Sequence, residues 1–183
     1  WMYRMIDLNC LKPFDLWGVL DDALHENGHP WRVFTLSTVD ADGRPQSRSV
    51  VLREIESQSW IMRLYSDSRS PKILQLQHNP NVSICFWNPQ LKQQLRAVGV
   101  ATLMSDPKAV SERWDRVKEG STVSDYTTKL APGSEVDPLV EFVDQNWFCV
   151  VEIKVRSFDL LQLKREGHQR VAVTPEGVTA LVP

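Results

Sequence analysis

The stretch Arg48-Ser-Val-Val-Leu-Arg53 opens the part of the sequence that decides the fold, and this part extends to Gly99. The short sequences that follow it in order are Tyr65-Ser-Asp67, Ser70-Pro-Lys72, Asn79-Pro80, Phe86-Trp87 and Gln94-Leu-Arg96. Apolar runs separated by Gly, Pro, Asn and Ser indicate strands and turns. The order predicts two strands, a short helix that Asn79-Pro80 ends, and two further strands.

Basic and polar residues in this part recur where strands end and where the helix starts. Ser70 suits the helix N-cap, Pro71 suits the first helical position, and Lys72 adds a positive charge beside the free backbone N–H groups. Arg48 and Arg53 bracket an apolar strand. A guanidinium group can bind two oxygens of one phosphate or carboxylate at once. The sequence therefore predicts an anion-binding sheet.

The two arginines do not automatically reach the same ligand. Successive side chains of a strand point to opposite faces. Strict alternation places Arg48, Val50 and Leu52 on one face and Ser49, Val51 and Arg53 on the other. Both arginines contact one ligand only if the strand twists or the ligand spans its end.

The sequence before Arg48 predicts a helix over residues 13–28 and then a hairpin. The apolar residues that recur at intervals of three and four are Phe14, Trp17, Leu20 and Leu24. That spacing is typical of one face of an amphipathic helix, and Gly28 is a suitable stop. Alternation over 31–38, a turn at 40–43 and a returning strand predict the hairpin.

After Gly99 the predicted elements are a helix, a long loop and more strands. We expect the helix and a lid-like loop over residues 106–146, with the helix ending near Glu119. Residues 147–155 and 158–164 are expected to form two separate strands. The barrel would then comprise residues 31–104 and 147–182 of a single domain that extends over 1–183.

Composition limits the classes of function. The 183 residues carry a net charge of -2, which disfavours general nucleic-acid binding. Cys10, Cys85 and Cys149 are far apart, so the sequence predicts neither a zinc site nor a disulfide framework, and this fits a reducing cytoplasm. No apolar run approaches the roughly 18 residues of a membrane span, so we expect no membrane insertion.

The ordered series of motifs resembles the pyridoxamine 5'-phosphate oxidase-related family of FMN-binding split-barrel proteins. The likeness covers about residues 30–99 well and about 147–173 more loosely. It implies a mainly β fold, an antiparallel β-barrel of Greek-key type with flanking helices. It further implies FMN as cofactor and a homodimer with FMN at the subunit interface.

The resemblance assigns candidate roles to residues of this sequence. The implied FMN contacts are Arg48, Ser49, Val50, Val51, Leu52, Arg53, Tyr65, Ser66, Ser70, Lys72, Gln94 and Arg170. Arg53 and His168 are the implied substrate contacts, and no residue is expected to act as a nucleophile because the flavin supplies the chemistry.

Several positions depart from the family pattern. Arg53 stands where the oxidases carry a lysine, Pro71 replaces an arginine for which Arg69 is expected to compensate, and Leu161 stands where a tryptophan is common. Glu166 replaces an arginine two residues before His168, and a carboxylate there would repel a phosphorylated substrate.

Three functions remain open on the sequence alone. The first is an FMN-dependent oxidoreductase that transfers a hydride from a small amine or alcohol to FMN, with oxygen as one candidate for the electron acceptor. The second is a true pyridoxamine or pyridoxine 5'-phosphate oxidase. The third is a non-enzymatic carrier or sensor that binds flavin or haem.

Overall fold

The computed structural model describes residues 6–136 and 139–183, so residues 1–5 and 137–138 of the expected domain lie outside the described residues. The described strands are β1 (Val33–Val39), β2 (Pro45–Val51), β3 (Glu54–Glu56), β4 (Ile61–Asp67), β5 (Asn81–Asn88), β6 (Gln93–Leu103), β7 (Phe148–Gln162), β8 (Gln169–Thr174) and β9 (Gly177–Leu181). The described α-helices are α1 (Pro13–His25), α2 (Pro71–His78) and α3 (Pro107–Lys118).

All the paired strands are antiparallel, in the order β2-β1-β5-β6-β7-β4-β3. The strand β8 pairs with the second half of β7 and with β9. The turn between β1 and β2 is held by Asp40, whose side chain accepts hydrogen bonds from the backbone N–H groups of Asp42 and Arg44. This is the hairpin that the sequence predicts.

A corner at Leu52 and Arg53 closes the sheet into a barrel. The Leu52 N–H donates to the Arg32 carbonyl beside β1, whereas the next N–H, of Arg53, donates to the Arg63 carbonyl in β4. The chain therefore passes from one end of the strand order to the other between adjacent residues. The expected fold, a mainly β split barrel with flanking helices, is confirmed.

The predicted division of residues 147–164 into two strands is wrong. Most of these residues belong to one continuous strand, β7. Its first half pairs with β4 and its second half with β8, while β6 pairs with both halves. A register shift between Val98 and Gly99 lets β6 follow β7 throughout. Gly99 is required there, because a Cβ would clash with the Lys154 carbonyl oxygen.

The helix α1 packs its buried face into the main core and ends earlier than predicted. Its last residue is His25, and Gly28 lies in the following turn at a φ of 77°. Trp17 packs edge-on against Trp60 and Phe158 in the main core. Phe14, which the sequence places on the apolar face, is instead half exposed, because the buried face of α1 runs through Leu16, Trp17, Val19, Leu20 and Ala23.

A second, smaller core lies between the barrel, α3 and the segment that follows it. It contains Val117, Tyr126, Phe148 and Val150, with Tyr65 and Trp114 packed against it. Tyr126 belongs to a short 3₁₀ helix, Val123–Tyr126, inside the lid-like loop. This core fixes the start of the loop beside β4, which carries the predicted Tyr65-Ser66 pair.

Candidate functional site

A cleft of about 270 Å³ lies where the β2 corner, the end of β4 and the start of α2 meet. It is lined by nine of the predicted residues: Arg48, Ser49, Val50, Val51, Arg53, Tyr65, Ser66, Ser70 and Lys72. Strict alternation would place Arg48 and Arg53 on opposite faces of one strand. Both line the cleft because the chain turns at Leu52 and Arg53. The Leu52 side chain itself is fully buried in the core and does not line the cleft.

The start of α2 gathers a cation and two hydroxyl groups. Lys72 Nζ donates to Ser66 Oγ at 2.9 Å and to Ser70 Oγ at 3.1 Å, and the two hydroxyl oxygens lie 3.1 Å apart. Burial, with a smaller contribution from the Arg48 charge, lowers the pKa of Lys72 from its ordinary value. A bound anion would relieve both effects, because it offers the ammonium group a counter-charge in a partly dry site.

Arg48 is held in place by hydrogen bonds to three acceptor oxygens. It donates to the Leu36 carbonyl at 3.2 Å, to Thr38 Oγ1 at 2.7 Å and to Gln75 Oε1 at 2.8 Å. Thr38 in turn donates to Gln75 Oε1 at 2.6 Å. None of these partners carries a charge, so the Arg48 guanidinium stays electrostatically uncompensated.

The cleft keeps its positive charge. Within residues 6–136 and 139–183, no carboxylate lies within ion-pair distance of Arg48, Arg53 or Lys72. Asp67 and Asp125 also line the cleft. The Asp67 carboxylate is bonded to Arg69 at 2.6 and 3.1 Å, and among the described residues Asp125 forms no ion pair with the three cations. Three cations beside two hydroxyl groups and a helix start form a donor set that fits a phosphate group.

Arg69 is engaged elsewhere and does not compensate for Pro71. Besides Asp67 it donates to the backbone carbonyls of Thr128 and Lys129, and it stacks over the Trp147 ring at 3.4 Å from the ring centre. Arg69 therefore ties the lid-like loop to the turn between β4 and α2 and does not line the cleft.

Tyr65, which lines the cleft, is fixed by a partly buried network with Glu54 and Arg113. Its hydroxyl group donates to Glu54 Oε1 at 2.5 Å, and burial together with Glu54 raises the pKa of Tyr65 to about 12. Burial opposes ionisation of Glu54, but hydrogen bonds from Arg113 and Tyr65 outweigh it and lower the pKa of Glu54. Arg113 binds Glu54 through two bonds of 2.8 and 2.7 Å.

Gln94 and Arg170 lie away from the cleft, in one row on the outer face of the sheet. Gln94 in β6 pairs with Leu161 in β7, and Leu161 pairs on its other side with Arg170 in β8. Arg170 Nη2 contacts Asp159 at 2.7 Å, and the same carboxylate binds Arg96 at 2.5 Å. We call Gln94, Leu161 and Arg170 the outer row.

His168 is exposed in the hairpin between β7 and β8, where its Nδ1 accepts a hydrogen bond from the Lys164 N–H. It does not line the cleft either. Within one chain the structure therefore places nine of the predicted site residues at the cleft, Leu52 in the core, and Gln94, Arg170 and His168 away from the cleft.

The sequence interpretation missed residues that orient the site and residues of the lid-like loop that line it, among them Asp125 and Pro132. Gln75 and Thr38 orient Arg48, and Tyr126 lines the cleft from the lid-like loop. Gln75 follows Lys72 by three positions, so the helical period could have placed both on one face of α2. Tyr126 had no comparable signal, because it reaches the cleft only through tertiary packing.

Comparisons with known proteins point to one family. A family model described as "Pyridoxamine 5'-phosphate oxidase, FMN-binding domain" matches residues 15–105. A pyridoxine/pyridoxamine 5'-phosphate oxidase of Legionella pneumophila is 36% identical over 89 residues, which are 49% of this chain and 40% of the relative. A putative pyridoxamine 5'-phosphate oxidase of Caenorhabditis elegans is 32% identical over 122 residues, 67% of this chain and 51% of the relative.

The chain thus spans about half, or less, of the length of these curated relatives. Among solved structures, a pyridoxamine 5'-phosphate oxidase-related, FMN-binding protein from Nostoc punctiforme superposes with a TM-score of 0.74 at 25% identity, covering 95% of this chain and 99% of that protein. The family model covers the cleft residues from Arg48 to Lys72, and the structural match extends over nearly the whole chain. The chain belongs to the pyridoxamine 5'-phosphate oxidase-related family of FMN-binding split-barrel proteins.

Proposed function

We propose that the protein is an FMN-dependent oxidoreductase that acts on a small amine or alcohol. The observation that carries this proposal is the cleft in which Arg48, Arg53 and Lys72 lie without a carboxylate partner among the described residues. A protein leaves three partly buried cations uncompensated at a cost in stability, unless an anion occupies the site. The phosphate group of FMN is such an anion.

The proposed contacts follow from the geometry of the donors. Arg48 and Lys72, with the hydroxyl groups of Ser66 and Ser70, would hold the phosphate group at the start of α2. Arg53 would lie beside the flavin and the substrate. When bound, FMN accepts a hydride from the substrate carbon, with oxygen as the proposed final acceptor.

No side chain is required as a nucleophile in this proposal. Cys149 pairs with Ser66 across β4 and β7, close to Lys72, but burial raises the pKa of its thiol to about 11. The thiol is therefore protonated at neutral pH, and a protonated thiol is a poor nucleophile. The residues of the cleft bind and orient, and they keep positive charge beside the cofactor.

We further propose a homodimer in which each site combines the cleft of one subunit with the outer row of the other. Gln94 and Arg170 are on a different surface from the cleft, so a second copy is the simplest way for them to reach the same cofactor. On the outer face, the apolar residues Val33, Trp87 and Val98 are each about half exposed. Burial of such residues favours association.

The experiment that tests the function is an absorption spectrum of the purified protein after FMN has been added and the excess removed. Retained flavin absorbance supports the cofactor site, and its absence would refute it. Anaerobic addition of pyridoxamine 5'-phosphate then separates the enzymatic alternatives. Bleaching would indicate a true pyridoxamine 5'-phosphate oxidase, whereas flavin that stays oxidised would indicate a relative with another substrate or a carrier.

Sedimentation of the FMN-loaded protein tests the shared site. A dimer is expected, and a monomer that retains FMN would contradict the proposal. The proposed location is the cytoplasm, which the free thiols of Cys10, Cys85 and Cys149 support. In the part of the chain that the structure describes, no helix has both the length and the apolar character needed to cross a membrane.

A further inference from the structure

A second, larger pocket of about 410 Å³ opens next to the cleft, inside the lid-like loop. Asp125 and Pro132 line both cavities, so the two spaces adjoin. The walls of the pocket come from residues on both arms of the loop, which are joined by the Lys129 N–H bond to the Glu141 carbonyl and by the Val143 N–H bond to the Thr127 carbonyl. We call this space the lid pocket.

The lid pocket is mainly apolar. Its apolar lining residues among those described are Leu130, Ala131, Pro132, Val136, Leu139 and Val140. Leu130 and Val140 leave about half of their surface exposed. An apolar group bound between them would remove this surface from water at a gain of roughly 25 cal/mol per Å².

The charges of the lid pocket disfavour an anion. Its described lining contains two carboxylates, Asp125 and Glu141, and one ammonium group, Lys129. Lys129 Nζ is already bonded to Glu141 at 2.7 Å. Asp125 forms no ion pair among the described residues, and although it also lines the cleft, the cations there are assigned to the FMN phosphate group. An anionic group in the lid pocket of the FMN-loaded protein would therefore be repelled by this carboxylate.

The arginines on the far side of Tyr65 do not change this balance. Glu54 contacts Arg113 at 2.7 Å, Arg116 at 3.6 Å and Arg63 at 3.9 Å. Arg63 is also bonded to Glu56 and to Glu152 at 2.7 Å each. These cations are committed to carboxylates, whereas those of the cleft are not.

We infer that the substrate of the flavin site is a largely apolar molecule without a phosphate or other anionic group, and that it occupies the lid pocket. This inference rests on the proposed FMN site and names the substrate class for it. It assigns the cations of the cleft to the cofactor and the apolar walls of the lid pocket to the substrate.

The test compares two probes that share one aromatic ring system, naphthylmethanol and naphthyl phosphate. Their binding to the FMN-loaded protein is followed by ligand-observed NMR, with the flavin occupying the cations of the cleft. Naphthylmethanol is expected to bind at least tenfold more tightly than naphthyl phosphate. Tighter binding of naphthyl phosphate, or no binding of naphthylmethanol, would overturn the inference.

Two substitutions locate the binding. Leu130→Asn is expected to weaken naphthylmethanol binding about tenfold, since it places an amide in the apolar wall, whereas Phe14→Asn, at a similarly exposed position on α1, should leave it unchanged. Glu141→Gln releases Lys129 and is expected to strengthen naphthyl phosphate binding several-fold. If Leu130→Asn leaves naphthylmethanol binding unchanged and Glu141→Gln leaves naphthyl phosphate binding unchanged, the probes bind elsewhere and the inference is overturned.

Failure of the proposed function has a separate signature. If no flavin absorbance is retained, the cofactor site is refuted, and with it the assignment of the pocket to a flavin substrate. If flavin is retained but the probes show the reverse preference, only the substrate class is wrong.

Discussion

Arg48 donates a hydrogen bond to Oε1 of Gln75 across 2.8 Å, and this contact joins β2 to α2 beside the Lys72 ammonium group. The same oxygen accepts a bond from Thr38, so Gln75 sets the distance between the sheet and the helix start at the point where two cations face one cleft. The amide has no charge with which to neutralise Arg48. It orients the guanidinium and leaves its positive charge available.

Substitution of Gln75 by Ala should therefore weaken FMN binding without removing any charge. The loss of an oriented hydrogen bond to a charged group corresponds to about 1.5–3 kcal/mol. Flavin fluorescence quenching measures the dissociation constant. Gln77→Ala, an exposed position on the same helix, is the matched control. Equal affinities for the two variants would show that Gln75 does not position Arg48 for the cofactor.

Removal of the Lys72 ammonium group should weaken FMN binding more directly. We expect Lys72→Ala to cost about 1.5–3 kcal/mol of binding free energy, because a charged hydrogen bond to the phosphate group is lost. Lys108→Ala, at an exposed lysine near the start of α3, should have no effect. Riboflavin, which lacks the phosphate group, should bind both variants equally. An unchanged FMN affinity in Lys72→Ala would remove Lys72 from the site.

The close approach of β6 and β7 predicts a large effect of a single methyl group. Gly99→Ala would force a Cβ against the Lys154 carbonyl oxygen, which is backbone and cannot rotate away. We expect a loss of about 1–3 kcal/mol in the free energy of unfolding, measured by urea denaturation. Gly120→Ala is the control, since its Cβ would make only ordinary contact and should change stability by less than about 0.5 kcal/mol.

His29 makes the folded protein sensitive to moderate acid. Its side chain is 4% exposed, its Nδ1 accepts a hydrogen bond from the Trp31 N–H, and burial lowers the pKa of the imidazole below the ordinary value of 6.5. The unfolded chain binds a proton at this residue near pH 6.5, whereas the folded chain does so only at lower pH. The contribution of neutral His29 to the free energy of unfolding is therefore fully present above pH 6.5. It is lost as the pH falls from there through the folded pKa.

The measurement is the free energy of unfolding between pH 7.5 and 5. Each unit by which the folded pKa is lowered corresponds to about 1.4 kcal/mol. His29→Gln keeps an acceptor for the Trp31 N–H but cannot be protonated, so its profile should be flatter than that of the wild type. His78→Gln, at an exposed position on α2, should follow the wild type. Parallel profiles for all three proteins would contradict the assignment.

The predictable parts of the structure are those with local causes. The Ser70-Pro71-Lys72 helix start, the Asn79 stop and the Asp40 turn depend on neighbouring residues, and the sequence predicts each of them. The cation cleft was predictable in composition because its residues follow one another between Arg48 and Lys72. That Arg48 and Arg53 line the same cleft was not predictable, because it depends on the corner at Leu52 and Arg53. The corner is set by hydrogen bonds to the Arg32 and Arg63 carbonyls, which belong to other parts of the chain.

The remaining features are set by pairing between distant strands. The continuity of β7 depends on β6, which supports both halves, and the polar residues Arg156 and Ser157 wrongly indicate a break. The outer row exists only because β6 and β8 both pair with β7, and the lid pocket only because the loop folds back on itself. Neither periodicity nor turn chemistry reports such contacts.

The corner at Leu52 and Arg53 also limits how the length of the chain can vary. An extra residue there would shift every following side chain of β3 to the opposite face of the strand. Glu54 would then lose Tyr65 and Arg113, and Ile55 would leave the core against which it packs. Natural sequence variants of this protein should therefore carry no insertion or deletion between residues 51 and 54.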